Sequence, residues 1–153
     1  MIEPSSSIVA IDPGRSKCGL VLADPITSEV IDVLVIPADQ LCDQLTQWHV
    51  HAPLRELVIG NGTSSKQWQA QIAHLAPLVE VNEAGTTLRA RERYWQIWPP
   101  RGWRRLLPQG LRLPPCELDG IAALVLLEDH LGRRLHCPSP PSQGPGLRTE
   151  PAQ

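Results

Sequence analysis

Three carboxylates stand where this chain's pattern would bring them together: Asp12, Glu83 and Asp119. Asp12 closes the apolar run Ile8-Val9-Ala10-Ile11 and opens the loop Pro13-Gly14-Arg15-Ser16-Lys17. A run so apolar belongs inside a sheet, which puts one carboxylate at the end of a buried strand. Glu83 follows a second strand-like run, Leu78 to Val81, and Asp119 falls in the first turn of an apolar helical stripe. Functional groups of open α/β sheets gather beyond the carboxyl ends of the parallel strands, so Asp12 and Glu83 are expected on one edge, with Asp119 completing the set. Three acids held together repel unless a hard cation neutralises them, and Mg²⁺ or Mn²⁺ suits all-oxygen ligands. Two such ions, typically ~3.5–4 Å apart, activate a water and stabilise the leaving oxygen in attack on a phosphodiester. Taken singly, Asp119 is also an ordinary first-turn acid favoured by the helix dipole, and Glu83 an ordinary loop acid.

Basic residues supply the second signal. Arg89, Arg91, Arg93, Arg101, Arg104, Arg105 and Arg112 are opposed between residues 84 and 116 only by Glu92, with Tyr94, Trp95, Trp98 and Trp103 interleaved. Guanidinium groups pair with phosphates and aromatic rings stack on unpaired bases, so a nucleic acid is the expected partner, with Lys17, Arg89, Arg93, Arg104 and Arg105 as contacts. The other reading makes Trp95 and Trp98 core anchors and the arginines a solvated face. Lys17 would meet a scissile phosphate or neutralise Asp12. None of the five histidines has a nucleophile partner in the sequence pattern.

The elements that must position these residues follow from periodicity. Runs at Ile8–Ile11, Gly19–Ala23 and Val30–Ile36, joined by short polar links, predict an antiparallel meander. Leu41, Leu45 and Trp48 then repeat at helical spacing behind Asp39 as a cap. Leu57–Gly60 reads as a strand. Ser64 or Ser65 would cap a helix carrying Trp68, Ile72 and Leu75, and Leu78–Val81 reads as a fifth strand. Alternation of strand and helix implies parallel pairing here. Thr86 would cap a helix ending before Pro99-Pro100. Leu118, Ile121, Ala122, Val125 and Leu126 predict a last helix over 117–131. The whole is an α/β, ribonuclease H-like three-layer fold with a mixed five-stranded sheet flanked by helices. Residues 1–135 form the single domain, and the Pro/Ser/Gly-rich stretch 136–153 reads as a disordered tail.

With 153 residues the chain has room for one domain with a real core, and a net charge of −2 leaves local distribution to decide the partner. Cys18, Cys42, Cys116 and Cys137 form no C-x-x-C pair, which argues against a zinc site or a disulfide scaffold. Without a basic segment followed by a long apolar one, and without a run near the ~20 residues of a membrane span, no membrane role and a cytoplasmic location are expected.

Asp12-Pro13-Gly14-Arg15-Ser16-Lys17-Cys18-Gly19 resembles the first-strand motif of RuvC-like Holliday-junction resolvases and of the related YqgF family of pre-16S ribosomal RNA nucleases. Asn82-Glu83-Ala84-Gly85-Thr86-Thr87-Leu88-Arg89-Ala90 resembles the second motif of that YqgF family, and Leu118-Asp119-Gly120-Ile121-Ala122-Ala123 its last. Together the likeness covers about residues 7 to 132. The resemblance implies a ribonuclease H-like nuclease in which Asp12, Glu83 and Asp119 bind the metal and catalyse cleavage of an RNA precursor or branched DNA, with ribosomal precursor particles as partners and a monomer or homodimer as the unit. The chain departs from the family at Asn82 (Asp in the family), at Ala84 (Arg) and at Gly60-Asn61-Gly62-Thr63 (often Gly-Leu-Pro-Leu). A factor that binds nucleic acid or assembles ribosomes without cutting is therefore the alternative. An Asp-x-Gly turn also occurs in sugar kinases and actin-like ATPases, but those enclose nucleotide between two domains.

Overall fold

Alternation along the first strand sets the layering. In the computed structural model, which describes residues 7–62, 64–138 and 140–143, β1 (Ser7–Asp12) is buried from Ser7 to Ile11. Val9 and Ile11 point into one core and Ile8 and Ala10 into another, because successive strand side chains face opposite ways. Only a central strand covered on both faces can be so uniformly apolar.

β2 (Lys17–Asp24) and β3 (Glu29–Pro37) continue from β1 as the expected antiparallel meander. On the other side, β4 (Leu54–Gly60) pairs with β1 in parallel, and β5 (Leu78–Val81) with β4, also in parallel. Helices α1 (Leu41–His51) and α2 (Ser65–Ile72) cover one face through Leu41, Leu45, Trp68 and Ile72. α3 (Thr86–Ile97) and α4 (Asp119–Leu131) lie on the other side. α4 packs on the sheet through Ala123, Leu124 and Leu127, and α3 sets Ala90 and Tyr94 against Ile121 and Ala122. Every residue of α4 from Gly120 to Glu128 is buried, as a helix with two neighbours requires. Truncating Leu124 there to Ala would cost about 2–5 kcal/mol. The result is the three-layer α/β arrangement with a mixed sheet that the sequence pattern predicts; its first five strands lie in the order β3-β2-β1-β4-β5. Among the described residues, no helix is long and apolar enough to cross a membrane.

Three local details differ from expectation. Asp39 is not a helix cap: it lies in a 3-10 turn, Ala38–Gln40, and Gln40 precedes α1. Thr86 is the first residue of α3 and not its cap; Gly85, at φ 75°, takes the capping position, a left-handed conformation that glycine adopts without strain. The stretch predicted to be disordered from residue 136 stays on the sheet at first. His136 exchanges backbone hydrogen bonds with Ser28 and Val30, Cys137 is buried, and β6 (Ser142–Gln143) pairs with Leu34 and Val35 of β3. Proline content argued for disorder, but the open edge of β3 offers unpaired backbone groups that a passing chain satisfies. The rest of that stretch, residue 139 and residues 144–153, lies outside the described residues.

Candidate active site

Each acid reaches the same end of the sheet by a different backbone device. Asp12 is carried there by β1, paired in register with Gly19 of β2. Gly19 has no side chain because the backbone of Asp119 lies directly over it, and a Cβ would also meet Gly120 N at 2.7 Å. The start of α4 is thus seated on β2 by main-chain contact, which fixes Asp119 relative to Asp12.

Glu83 follows β5 and is held by the β4–α2 loop. Asn61 donates its backbone N–H to Val81 O at 2.9 Å, and its side-chain Oδ1 accepts the Glu83 N–H at 3.1 Å. The Thr86 backbone N–H and hydroxyl both donate to Glu83 O, at 3.1 and 2.8 Å. Side chains at positions 60 and 62 would overlap the Glu83 carboxylate, so both loop glycines make space for it. Two of the departures from the family pattern acquire roles here: Gly60-Asn61-Gly62 is a cradle for Glu83, and Asn82 Oδ1 accepts the Ala84 N–H at 2.9 Å, closing the turn before α3. Thr63 lies outside the described residues.

Asp12 lies within the fields of the other two acids. Burial pushes the Asp12 carboxyl up to about 7, and the negative charges of Asp119 and Glu83 add to the shift. Glu83 is also raised by burial, opposed by a hydrogen bond from the Gly62 backbone. Its Oε2 is buried with no hydrogen-bond partner among the described residues. Lys17 supplies the local cation: its Nζ lies 2.9 Å from Glu117 Oε1 and 3.5 Å from Asp119 Oδ2. Glu117, which the sequence patterns leave unmarked, is thus a fourth acid at this edge, and its Oε2 is likewise buried and unpartnered among the described residues. Its spacing from Asp119, two residues before the last helix, is the signal that could have found it.

Among the described residues, no three His, Cys, Asp or Glu side chains converge closely enough to hold a metal as they stand. The donor set nevertheless fits a hard divalent cation: the side-chain atoms offered are carboxylate oxygens, Glu83 Oε2 is buried without a donor among the described residues, and the charges of Asp119 and Glu83 raise the Asp12 carboxyl.

The basic residues divide into two groups. Lys17 and the acids beside it belong to the edge. Arg89 is bidentate to Asp129, at 2.8 and 2.6 Å, and Arg93 to Glu128, at 2.9 Å twice, with a further bond to Leu135 O. These two, expected to touch phosphate, are engaged in tying α3 to α4. Arg112 donates to Leu107 O and Arg105 O, and Trp95 Nε1 donates to Arg112 O, which fastens the loop between α3 and α4. Tyr94, Trp95 and Trp98 form one ring cluster with centroids 5.0 and 5.1 Å apart, the core-anchor alternative. Trp103 alone of these aromatics is mostly exposed, with Arg104 stacked over its ring at 5.2 Å and Arg105 open beside them. No protein-family model and no curated protein matches this chain.

Proposed function

We propose that the chain is a metal-dependent endonuclease that hydrolyses phosphodiester bonds in structured nucleic acid, with ribosomal RNA precursor as the substrate its motifs imply. The observation that carries this reading is the placement of Asp12, Glu83 and Asp119 at one sheet edge, where the Asp12 carboxyl is raised to about 7 by burial and then by the charges of Asp119 and Glu83. Buried like charges are costly, and active sites are where that cost is accepted. Asp12, Glu83 and Asp119 would hold Mg²⁺ or Mn²⁺, which supplies an activated water and charge stabilisation at the leaving oxygen. Lys17 keeps Asp119 and Glu117 partly neutralised and presents an ammonium next to the acids, where a phosphate oxygen would approach. Arg104, Arg105 and Trp103 supply exposed charge and ring surface for a strand outside the site.

The test is cleavage of labelled ribosomal RNA precursor and four-way-junction DNA, with Mg²⁺ or Mn²⁺ and with chelator. Parent protein is expected to cut in metal only. Asp12→Asn is expected to lose cleavage by 10²-fold or more while keeping its fold and its binding. Undiminished cutting by purified Asp12→Asn would rule out the three-acid site.

A second reading, binding without cutting, is favoured by one observation: Asp119 and Glu117 already have Lys17 as counter-ion. It predicts salt-sensitive binding that ignores metal and shows no turnover.

A further inference from the structure

The stretch that joins α3 to α4 turns its apolar side chains outward. Trp103, Leu106, Leu111 and Leu113 are each more than half exposed, four large apolar side chains within eleven residues. Scattered singly they would need no explanation, but gathered in this way they are the mark of an interaction site. The loop is nonetheless held in shape. Arg112 donates from Nε to Leu107 O at 2.9 Å and from Nη2 to Arg105 O at 3.1 Å, which folds the 3-10 turn Gln109–Leu111 back on the 3-10 turn Gly102–Leu106. Trp95 Nε1 ties Arg112 O to α3, and Pro99-Pro100, Pro108 and Pro114-Pro115 fix φ along the way. The apolar side chains thus stand on a preformed surface, which lowers the ordering cost of binding.

Position and charge say what this surface fits. A 3-10 helix has three residues per turn, so Trp103 and Leu106 project from the same side. Arg104 lies over the Trp103 indole at 5.2 Å, a flat cationic stack of the kind that takes a nucleobase. Arg101 and Arg105 stand exposed beside it, and no acid occurs from Arg93 to Cys116. The loop also leads directly to the acid edge. Leu113 is four positions from Glu117, the acid bonded to Lys17, so their Cα atoms lie no more than about 14 Å apart. A continuous duplex would offer this surface sugars and phosphates and leave the indole and the leucines in water. Unpaired bases cover them.

We propose that the α3–α4 loop is a stacking platform for unpaired bases beside the bond presented to the acids. The substrate class is then a nucleic acid with a single-stranded segment at the cut, and not a continuous duplex. The place of the platform beside a cut bond rests on the nuclease reading above; its preference for unpaired bases does not. One base stacks on Trp103, the leucines cover its neighbours, and Arg101 and Arg105 pair with the phosphates between them.

The experiment measures binding to the full chain, in chelator and over a range of salt, of three labelled ligands of equal length: an RNA single strand, its blunt duplex, and an abasic strand that keeps the phosphates. The parent is expected to bind the RNA strand about tenfold or more tighter than the other two. Trp103→Ala is expected to lose about tenfold on the RNA strand alone, with the slope of log affinity against log salt unchanged, since no charge is removed. Leu106→Ala, at a side chain 87 % exposed, carries the same test with a smaller loss and no dependence on a refolded core. Arg105→Gln is expected to weaken all three ligands and to lower the slope by about 0.7 on the single strands. Equal binding of RNA and abasic strands by the parent, or parental affinity in both Trp103→Ala and Leu106→Ala, would overturn the platform. Self-association in sedimentation that Leu106→Ala abolishes, with RNA binding untouched, would assign the surface to a second copy and overturn it too. Absence of metal-dependent cleavage with the preference for unpaired bases intact would sink the nuclease reading and leave the platform standing, and cleavage without that preference would do the reverse.

Discussion

Along the α3–α4 seam, charge is matched by charge. Arg93 faces Glu128 with side chains only 12 % and 9 % exposed, and Arg89 faces Asp129 nearer the surface. Leu135 completes the buried pair by donating its N–H to Glu128 Oε2 at 2.8 Å and accepting from Arg93. At the acid edge the same helix α4 presents Asp119 to like charges, with Lys17 as the near cation and two carboxylate oxygens buried without donors among the described residues. Both regions contain buried charge, so burial alone does not separate them. What separates them is whether the charges cancel: they do in the α3–α4 pair, and at the acid edge like charges outnumber the one near cation.

Four experiments test that contrast. The largest effect is expected at the buried pair: Arg93→Met strands Glu128 and should lower unfolding free energy by about 3–5 kcal/mol in urea titrations, with most of it regained when Glu128→Leu is added. A loss under ~1 kcal/mol would erase the distinction between seam and edge. Next, saturating Mg²⁺ at about a hundredfold over its dissociation constant should stabilise the parent by ~2.7 kcal/mol and leave Asp12→Asn unmoved in thermal melts. Equal stabilisation of both proteins would place the cation elsewhere.

The third concerns pH without metal. The folded chain holds the Asp12 proton up to about 7, while the unfolded chain releases it near 3.8. Between those values the folded state binds more protons, so this group's contribution to stability is fully present below pH 3.8, declines as pH rises, and is gone above about 7. Asp12→Asn should lack that decline and gain about 1–3 kcal/mol over the parent at neutral to mildly alkaline pH, read from urea midpoints across the range. A parent more stable at the alkaline end would contradict it. The smallest effect is Arg89→Ala, whose partly exposed pair should account for ~0.2–1 kcal/mol by the same measurement; a larger loss would show that this surface pair acts with the buried one.

The sheet and its acids were legible because each rests on a local signal. An unbroken apolar run ending in Asp12 announces a central strand, and strand-end geometry does the rest. The pairing of arginines was not legible, because Arg89 finds Asp129 forty positions away and Arg93 finds Glu128 thirty-five away, and composition records charge without recording its partner. Glu128 and Asp129 at the end of an otherwise apolar helix were the available hint. Asn61 and the two loop glycines were read only as departures from a motif, since their purpose depends on Glu83 arriving from another strand.

The contact between Gly19 and the backbone of Asp119 also bears on how the protein comes apart. Because main chain meets main chain there, α4 has no side-chain cushion that could loosen while the sheet stays intact. Its first turn opens only when β2 and α4 separate, an event that exposes the core. Amide protons of Ala122 and Ala123 should therefore exchange at the slow rate set by global unfolding, and the acid edge should keep its arrangement until the whole domain melts.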